Sequence, residues 1–408
     1  MKINKSYSYE SGERHPHGWG YTDTRFEFVD ERSVRVTGDR YPICGYTMPY
    51  LIPFAEKIFG LSFRPQDMLS EKEPEKLPDS RINTNFEDAL KETITDEQIK
   101  VSDSERLRHS HGQLSVNEVY RVLYGAALER YVDMVIYPQS EDDVHRIVAL
   151  ANEHGVCLVP YGGGTNVSGS LSLLKSEERP IASVDMSRMN QILSLDENNL
   201  VACVEAGICG RELQRELTAR GYTSGHEPDS IELSTLGGWI STNASGMKKN
   251  KYGNIEDIVL EATLITPTGV VETLSATPRN STSVQPRGLL FGSEGNIGLI
   301  TKAKIKVYPL PKVQKFGSLV FPDFATGVAF LKELRHEEGV LPASIRLVNN
   351  NEYRFGQALK PEAEGLKKIE KRIQHFFISK VKNFDISELA ACTIAMEGTA
   401  SEVAHQEK

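Results

Sequence analysis

The sequence predicts an α+β fold: a two-lobed α+β domain in the middle of the chain, a mostly helical and irregular region before it, and an incomplete α+β domain after it. Three observations predict this. Between residues 132 and 159 a strand pattern, a helix pattern and a second strand pattern follow one another into a glycine-rich loop. From 181 to 307 the apolar runs are short and mostly strand-like. From 317 a β-α-β-α-β alternation resumes and breaks off at 402–408, in what reads as the start of a helix. Such alternation marks sheets covered by helices, grouped into separate layers.

Each element has its own signal. Residues 1–126 are polar and carry the charge run Glu71-Lys72-Glu73-Pro74-Glu75-Lys76, with an apolar helical stretch at 49–61. Val119, Val122, Leu123, Ala126 and Ala127 recur at helical spacing within 116–132. The two-lobed domain occupies 127–309. Residues 132–138 read as a strand that ends at Pro138. Ser140 caps the next helix, Glu141 and Asp142 complement its dipole, and Val144, Ile147, Val148 and Ala151 give it one buried face. Gly155 stops it, and 156–159 form the next strand.

A second lobe is expected to begin near Ile181. Its strands are 192–195, 200–204, 259–266, 269–274 and 301–307, and its helices are 209–220 and 234–242. Thr266-Pro267-Thr268-Gly269 is a hairpin turn. Residues 309–311 read as a linker into the last domain, 310–408. That domain has strands at 317–321, 343–348 and 389–396, with helices at 324–335 and 366–377.

Composition narrows the function classes. Hydrophobic residues make up 39% and charged residues 25%, ordinary for a globular chain. A net charge of −9 argues against general nucleic-acid binding. The local cluster Lys248, Lys249, Lys251 reads as a solvated face or as help for a phosphate. Five cysteines without a CxxC pair fit a reducing compartment, and neither they nor the ten histidines have metal-ligand spacing, so no metal site is expected. No apolar run is long enough to cross a membrane as a helix. The first residues, Met1-Lys2-Ile3-Asn4-Lys5-Ser6, lack the apolar core of a secretory signal.

Three glycine-rich segments carry the chemistry. Pro160-Tyr161-Gly162-Gly163-Gly164-Thr165-Asn166-Val167-Ser168-Gly169 follows a strand, and its glycines let backbone N–H groups approach an anion. In Pro228–Gly246, Ser, Thr and Asp cluster before Gly237-Gly238, as at a helix start whose N–H groups face a ligand. Phe291-Gly292-Ser293-Glu294-Gly295-Asn296-Ile297-Gly298-Leu299-Ile300-Thr301 is a turn leading into a strand. Read singly, they are a turn, an ordinary N-cap and a loop.

Together with Tyr252-Gly253-Asn254-Ile255-Glu256-Asp257, and in this order, they resemble the FAD-binding domain of vanillyl-alcohol-oxidase-type flavoproteins, from about Tyr131 to Tyr308. The runs Pro228-Asp229-Ser230, Ser234 to Thr242, Ala244 to Asn250, Pro342 to Leu347 and Gly18-Trp19-Gly20-Tyr21 narrow it to a resemblance to the alkyldihydroxyacetonephosphate synthase family over nearly the whole chain. The family continues well beyond the last residue, so the chain looks C-terminally truncated, its last domain an incomplete substrate cap.

The resemblance implies FAD lying between the two lobes. It assigns to the cofactor Pro160, Tyr161, Gly162, Gly163, Gly164, Thr165 and Asn166, whose loop amides take the pyrophosphate; Asp229, Ser230, Ile231, Glu232, Leu233, Ser234 and Thr235; Thr242, Asn243, Ala244 and Ser245; and Glu294, Gly295, Asn296, Ile297, Gly298, Leu299 and Ile300. Relatives with covalent flavin have a histidine where Thr165 stands, which implies non-covalent FAD here.

The implied reaction belongs to the synthesis of ether lipids, the plasmalogen precursors. The acyl group of acyl-dihydroxyacetone phosphate is exchanged for a long-chain fatty alcohol, through an adduct at flavin N5 and without net oxidation. The substrate phosphate needs a cation. Arg346, in the apolar run Ser344-Ile345-Arg346-Leu347-Val348, is the catalytic candidate, because a guanidinium there is costly unless its charge is matched. A salt bridge to a carboxylate is its plain alternative. The family's histidine cluster and tyrosine have no counterpart here, and His226, beside the flavin motif, is a poor substitute for the base. The chain is therefore expected to bind FAD and to lack full activity.

The resemblance also implies a peroxisomal enzyme with peripheral membrane contact, and it allows a homodimer, although no peroxisomal signal is visible at either end. Two rival readings share the FAD domain: a flavin-dependent 2-hydroxy-acid dehydrogenase or oxidase, and an inactive FAD-binding fragment.

Overall fold

The computed structural model describes residues 14–15, 20–68, 76–112, 116–123, 127–272, 286–337, 339–362 and 384–408. The chain divides into two compact units. One is built mainly from Lys72–Pro311, the other from Gly20–Glu71 with Lys312–Lys408. Residues 1–126, read from the sequence as one region, are thus divided between the two.

The larger unit has two sheets. The first runs in the order Ile99–Lys100, Met134–Ile136, Ile181–Asp185, Cys157–Tyr161. Ile181–Asp185 is parallel to both its neighbours and buried throughout, as a central parallel strand should be. The second lobe therefore begins after this strand, not at it as its position in the chain suggests. The Glu141–His154 helix forms as its signals require. Ser140 accepts a hydrogen bond from the Asp143 amide at 3.1 Å, and Gly155 closes the helix at φ 67°. Val144, Ile147, Val148 and Ala151 pack with Phe86 and Leu90 of the Thr84–Lys91 helix over the first sheet. Each such fully buried Ile, Leu or Val contributes roughly 1.5–3 kcal/mol.

The second sheet is antiparallel, in the order Gly269–Val271, Val259–Thr266, Leu299–Lys306, Val201–Glu205, Ile192–Asp196. Thr266 pairs with Gly269 across the hairpin read from the sequence, and residues 273–274 of that predicted strand lie outside the described residues. The Gly210–Ala219 and Leu236–Thr242 helices cover this sheet with Leu213, Leu217, Leu236, Trp239 and Ile240. Ile265 and Leu299 of the second sheet join the core of the first, and Glu141 accepts from the buried Thr301 hydroxyl at 3.0 Å. The two lobes therefore share one packed floor.

In the smaller unit, Val313–Phe321, Ala390–Gly398 and Ser344–Val348 form an antiparallel sheet with Ala390–Gly398 in the centre. The Phe324–His336 helix lies against the Leu347 face; a Cβ on Gly327 would stand 2.5 Å from a Leu347 methyl. The Asn350–Ala358 helix was not read from the sequence; its Phe355 ring meets Phe54 of the Leu51–Phe59 helix at 5.7 Å. Residues 402–406 do lie in a helix, Ala400–Gln406, capped by Thr399 and Glu402 at its start and closed at Glu407. The helix expected at 366–377 lies outside the described residues; of the one expected at 116–132, Val116–Leu123 is helical, 124–126 lie outside the described residues, and 127–132 are not helical. No described helix is long and apolar enough to cross a membrane.

Candidate cofactor site

The larger unit holds a cleft of about 430 Å³, within the range of small-molecule sites. Four stretches wall it: the end of the Cys157–Tyr161 strand with the loop after it, the segment before the Leu236–Thr242 helix, that helix with its C-terminal cap, and the turn leading into Leu299–Lys306.

Each glycine of the first loop has a separate physical reason. A Cβ on Gly162 would stand 2.4 Å from the Thr235 hydroxyl oxygen, and one on Gly163 would stand 2.1 Å from the Leu233 carbonyl oxygen. Gly164 takes φ +68°, in the left-handed region. The loop can therefore lie directly on residues 233–235 and turn its amides outward. Among the described residues, no amide from Gly162 to Asn166 has a protein acceptor. Five successive amides without a protein partner, on residues that line a cleft, suit an anion such as a diphosphate.

The second glycine motif behaves differently. Thr235 caps its helix, accepting from the Gly238 amide at 3.2 Å. The Leu236 amide donates to the Ile208 carbonyl at 3.1 Å, and the Gly237 amide to that of Ala206 at 2.7 Å. The first-turn N–H groups expected to face a ligand are consumed by the protein. Gly237 is small because Ala206 is close; a Cβ there would stand 2.9 Å from the Ala206 methyl.

Of the residues proposed for the cofactor, Pro160–Asn166, Ser230, Ser234, Thr235, Thr242–Ser245, Glu294, Gly295, Gly298, Leu299 and Ile300 line the cleft. Asp229, Ile231, Glu232, Leu233, Asn296 and Ile297 do not. Leu233 is buried with its carbonyl packed against Gly163, Ile231 packs on the second core, and Ile297 is exposed. Val167, Ser168, Leu171, Met186, Ala206, Trp239 and Ser241 also line it, beyond the residues expected from the sequence. Ser168 sits in the glycine loop and was within reach of that motif. Met186 and Ala206 arrive from distant strand ends and have no local signal.

Behind the loop, Tyr161 is buried with its ring 4.3 Å from the ring of His109. The His109 ring nitrogens lie 2.8 Å from the Glu105 carbonyl and 2.9 Å from the Asp185 carboxylate. Burial opposes ionisation of Asp185, but the hydrogen bond and charge of His109 hold its carboxyl below the usual range. Burial, with the charge of Asp185 and a hydrogen bond to Glu105, pushes the Tyr137 hydroxyl far up. His226 is buried edge-on to Trp239 at 4.8 Å, and neither ring nitrogen has a hydrogen-bond partner. Burial lowers it to about 4, so its ring is neutral near pH 7.

Arg346 lies in the smaller unit, opposite Thr393 in the sheet, with an exposed side chain. The apolar run around it is therefore not a buried setting for its side chain. The Phe324–His336 helix covers the alternate face, that of Leu347.

Residues 132–275 match an FAD binding domain, and 310–408 match the C-terminal domain of FAD linked oxidases. The chain is 37% identical to the alkyldihydroxyacetonephosphate synthase of Caenorhabditis elegans, over 96% of this chain and 65% of that protein. It is 34% identical to the enzyme of that name from Dictyostelium discoideum, over 76% of this chain and 50% of that protein. A solved alkyldihydroxyacetonephosphate synthase structure superposes with a TM-score of 0.84 at 30% identity, covering 97% of this chain and 70% of that one. The chain thus spans less than two thirds of the two curated relatives. The cofactor of such a domain is FAD, and the donor-lined loop, with walls that a single Cβ would fill, fits its diphosphate.

Proposed function

Because the chain belongs to the alkyldihydroxyacetonephosphate synthase family, we propose that it serves ether-lipid synthesis, exchanging the acyl group of acyl-dihydroxyacetone phosphate for a long-chain fatty alcohol. The products are alkyl-dihydroxyacetone phosphate and the free fatty acid. The observation that carries the reading is the row of amides from Gly162 to Asn166 with no acceptor among the described residues. When bound, FAD supplies the covalent carbon chemistry without net oxidation. The chain's own residues bind and orient. The loop amides hold the diphosphate. Ser230, Ser234, Thr235 and Thr242–Ser245 offer polar contacts along the cleft. Thr165 has no imidazole to attach flavin, so FAD is held non-covalently.

Arg346 is proposed as the cation for the substrate phosphate, which it can hold in a bidentate manner. His226 does not supply the base: its pKa of about 4 makes it a weak one, and it is not on the cleft wall. Peroxisomal location, contact with a membrane surface and pairing as a homodimer are further parts of this proposal, supported by the family relationship.

The test is the absorption spectrum of the purified chain before and after palmitoyl-dihydroxyacetone phosphate. Bleaching of a bound flavin without an external electron acceptor, with release of palmitate, supports the exchange reaction. An unchanged spectrum with that substrate, together with reduction by glycolate or D-lactate, overturns it in favour of 2-hydroxy-acid oxidation. Arg346→Lys is expected to abolish most turnover while leaving FAD bound; near-normal turnover removes the arginine from the site.

A further inference from the structure

We propose that Glu294 is a positioning residue that clasps the loop 165–169 over the cleft through Ser168 and so sets how long FAD stays bound. The proposal rests on the reading that this cleft takes FAD. Glu294 is tied to two walls at once. Its carboxylate accepts from the Ser168 hydroxyl at 2.8 Å, across 126 positions of sequence, and its amide donates to the Ser241 carbonyl at 2.8 Å. Ser168, Ser241 and Glu294 all line the cleft. The hydrogen bond to Ser168 therefore links the glycine loop to the turn that leads into Leu299–Lys306, another wall of the cleft.

The backbone supports the same assignment. Glu294 has φ +48°, in the left-handed region that disfavours a side chain. A glycine would sit there without strain, as Gly295 does next to it at φ +82° against the Pro160 ring. Strain held at a ligand cleft points to a use for the side chain that bears it. A carboxylate on the wall of a cleft built for an anion is electrostatically adverse, and the Ser168 hydroxyl gives that charge a donor. The loop needs the link, because Val167 at its tip is 79% exposed and adds no buried contact. The loop's other hydrogen bonds, from the Ser170 amide to the Asn166 side chain at 3.0 Å and from the Ser172 amide to the Gly169 carbonyl at 2.9 Å, stay within its own stretch of chain.

The experiment measures the FAD release rate of the loaded chain from the rise in flavin fluorescence. Ser168→Ala and Glu294→Ala are each expected to speed release about fivefold to tenfold, and the double variant no more than either alone. Glu294→Gln keeps an acceptor for Ser168 and is expected to stay within about twofold of the parent. Glu294→Gly removes the strain and the clasp together: release is as fast as in Glu294→Ala, while the FAD-free chain melts at a higher temperature. Unchanged release in the single variants, or effects that multiply in the double variant, overturns the proposal. Hydrogen exchange of the FAD-free chain gives a separate reading. The Ser170 amide, held by the Asn166 side chain at 3.0 Å, should exchange faster in Ser168→Ala than in the parent, and equal exchange counts against the clasp. If the parent chain retains no FAD, the cofactor reading fails, and the exchange comparison alone decides the clasp.

Discussion

Two glycine-rich segments face the same cleft and use their glycines in opposite ways. In Gly162–Gly164 the missing side chains let the loop lie on Leu233 and Thr235, and its amides have no acceptor among the described residues. In Gly237–Gly238 the missing side chains let a helix approach Ala206 and its own cap, and every first-turn amide is taken by the protein. Both look like phosphate motifs as strings of letters. The difference teaches that a glycine motif marks close approach, and that hydrogen-bond accounting decides whether the approach serves a ligand or the fold.

If that contrast is right, substitutions on the two sides should fail differently. The largest effect is expected from Gly163→Ala. Its methyl would press on the Leu233 carbonyl, a backbone atom that cannot swing away. FAD affinity, measured by titrating the stripped chain, should fall roughly a hundredfold or more as the loop is displaced.

The next effect probes the helix side through its buried neighbour His226. Burial lowers the ring from 6.5 to about 4. Between those values the unfolded chain takes up a proton that the folded chain refuses. Stability is therefore full above pH 6.5 and declines as the pH falls towards 4. The expected loss from this group between pH 7 and 5 is about 2 kcal/mol. Chemical denaturation of His226→Phe, which keeps a ring against Trp239, should show a correspondingly flatter profile. An unchanged slope would show that His226 is not the group responsible.

Thr235→Ala should cost about 1 kcal/mol of stability through the lost cap, with FAD affinity reduced far less than by Gly163→Ala. The smallest effect is expected at Gly238. A Cβ there would stand 3.2 Å from the Thr235 hydroxyl oxygen, and the gain in helix propensity, up to about 1 kcal/mol, offsets the crowding. Melting temperature and FAD affinity of Gly238→Ala should both stay close to the parent. A loss of FAD as severe as that of Gly163→Ala would erase the distinction between the two motifs.

What could be read from the sequence was what is locally determined. Ser140, the apolar stripe of its helix and Gly155 lie within one stretch of chain, and the helix forms between them. The Thr266–Gly269 turn is likewise self-contained. The Asn350–Ala358 helix had a local signal too, an Asn349 and Glu352 capping box, but its polar composition hid the periodicity. Partners fixed by distant pairing were out of reach. Ile181–Asp185 belongs to the first lobe because it pairs on both sides with earlier strands. Met186 and Ala206 reach the cleft from separate strand ends. That Gly163 answers to Leu233, 70 positions later, is a fact of the packed structure. Arg346 illustrates the converse: apolar neighbours suggested burial, yet alternation in a sheet covered on the other face leaves it exposed.

The central claim is that the diphosphate of FAD is held by the amides of Gly162–Asn166 and not by the start of the Leu236–Thr242 helix. Hydrogen exchange resolved to single amides, compared between the FAD-loaded and FAD-stripped chain, tests it directly. The account predicts a large gain in protection at 162–166 on loading, with 236–238 already protected in the stripped chain. A gain at 236–238 with none at 162–166 would contradict it.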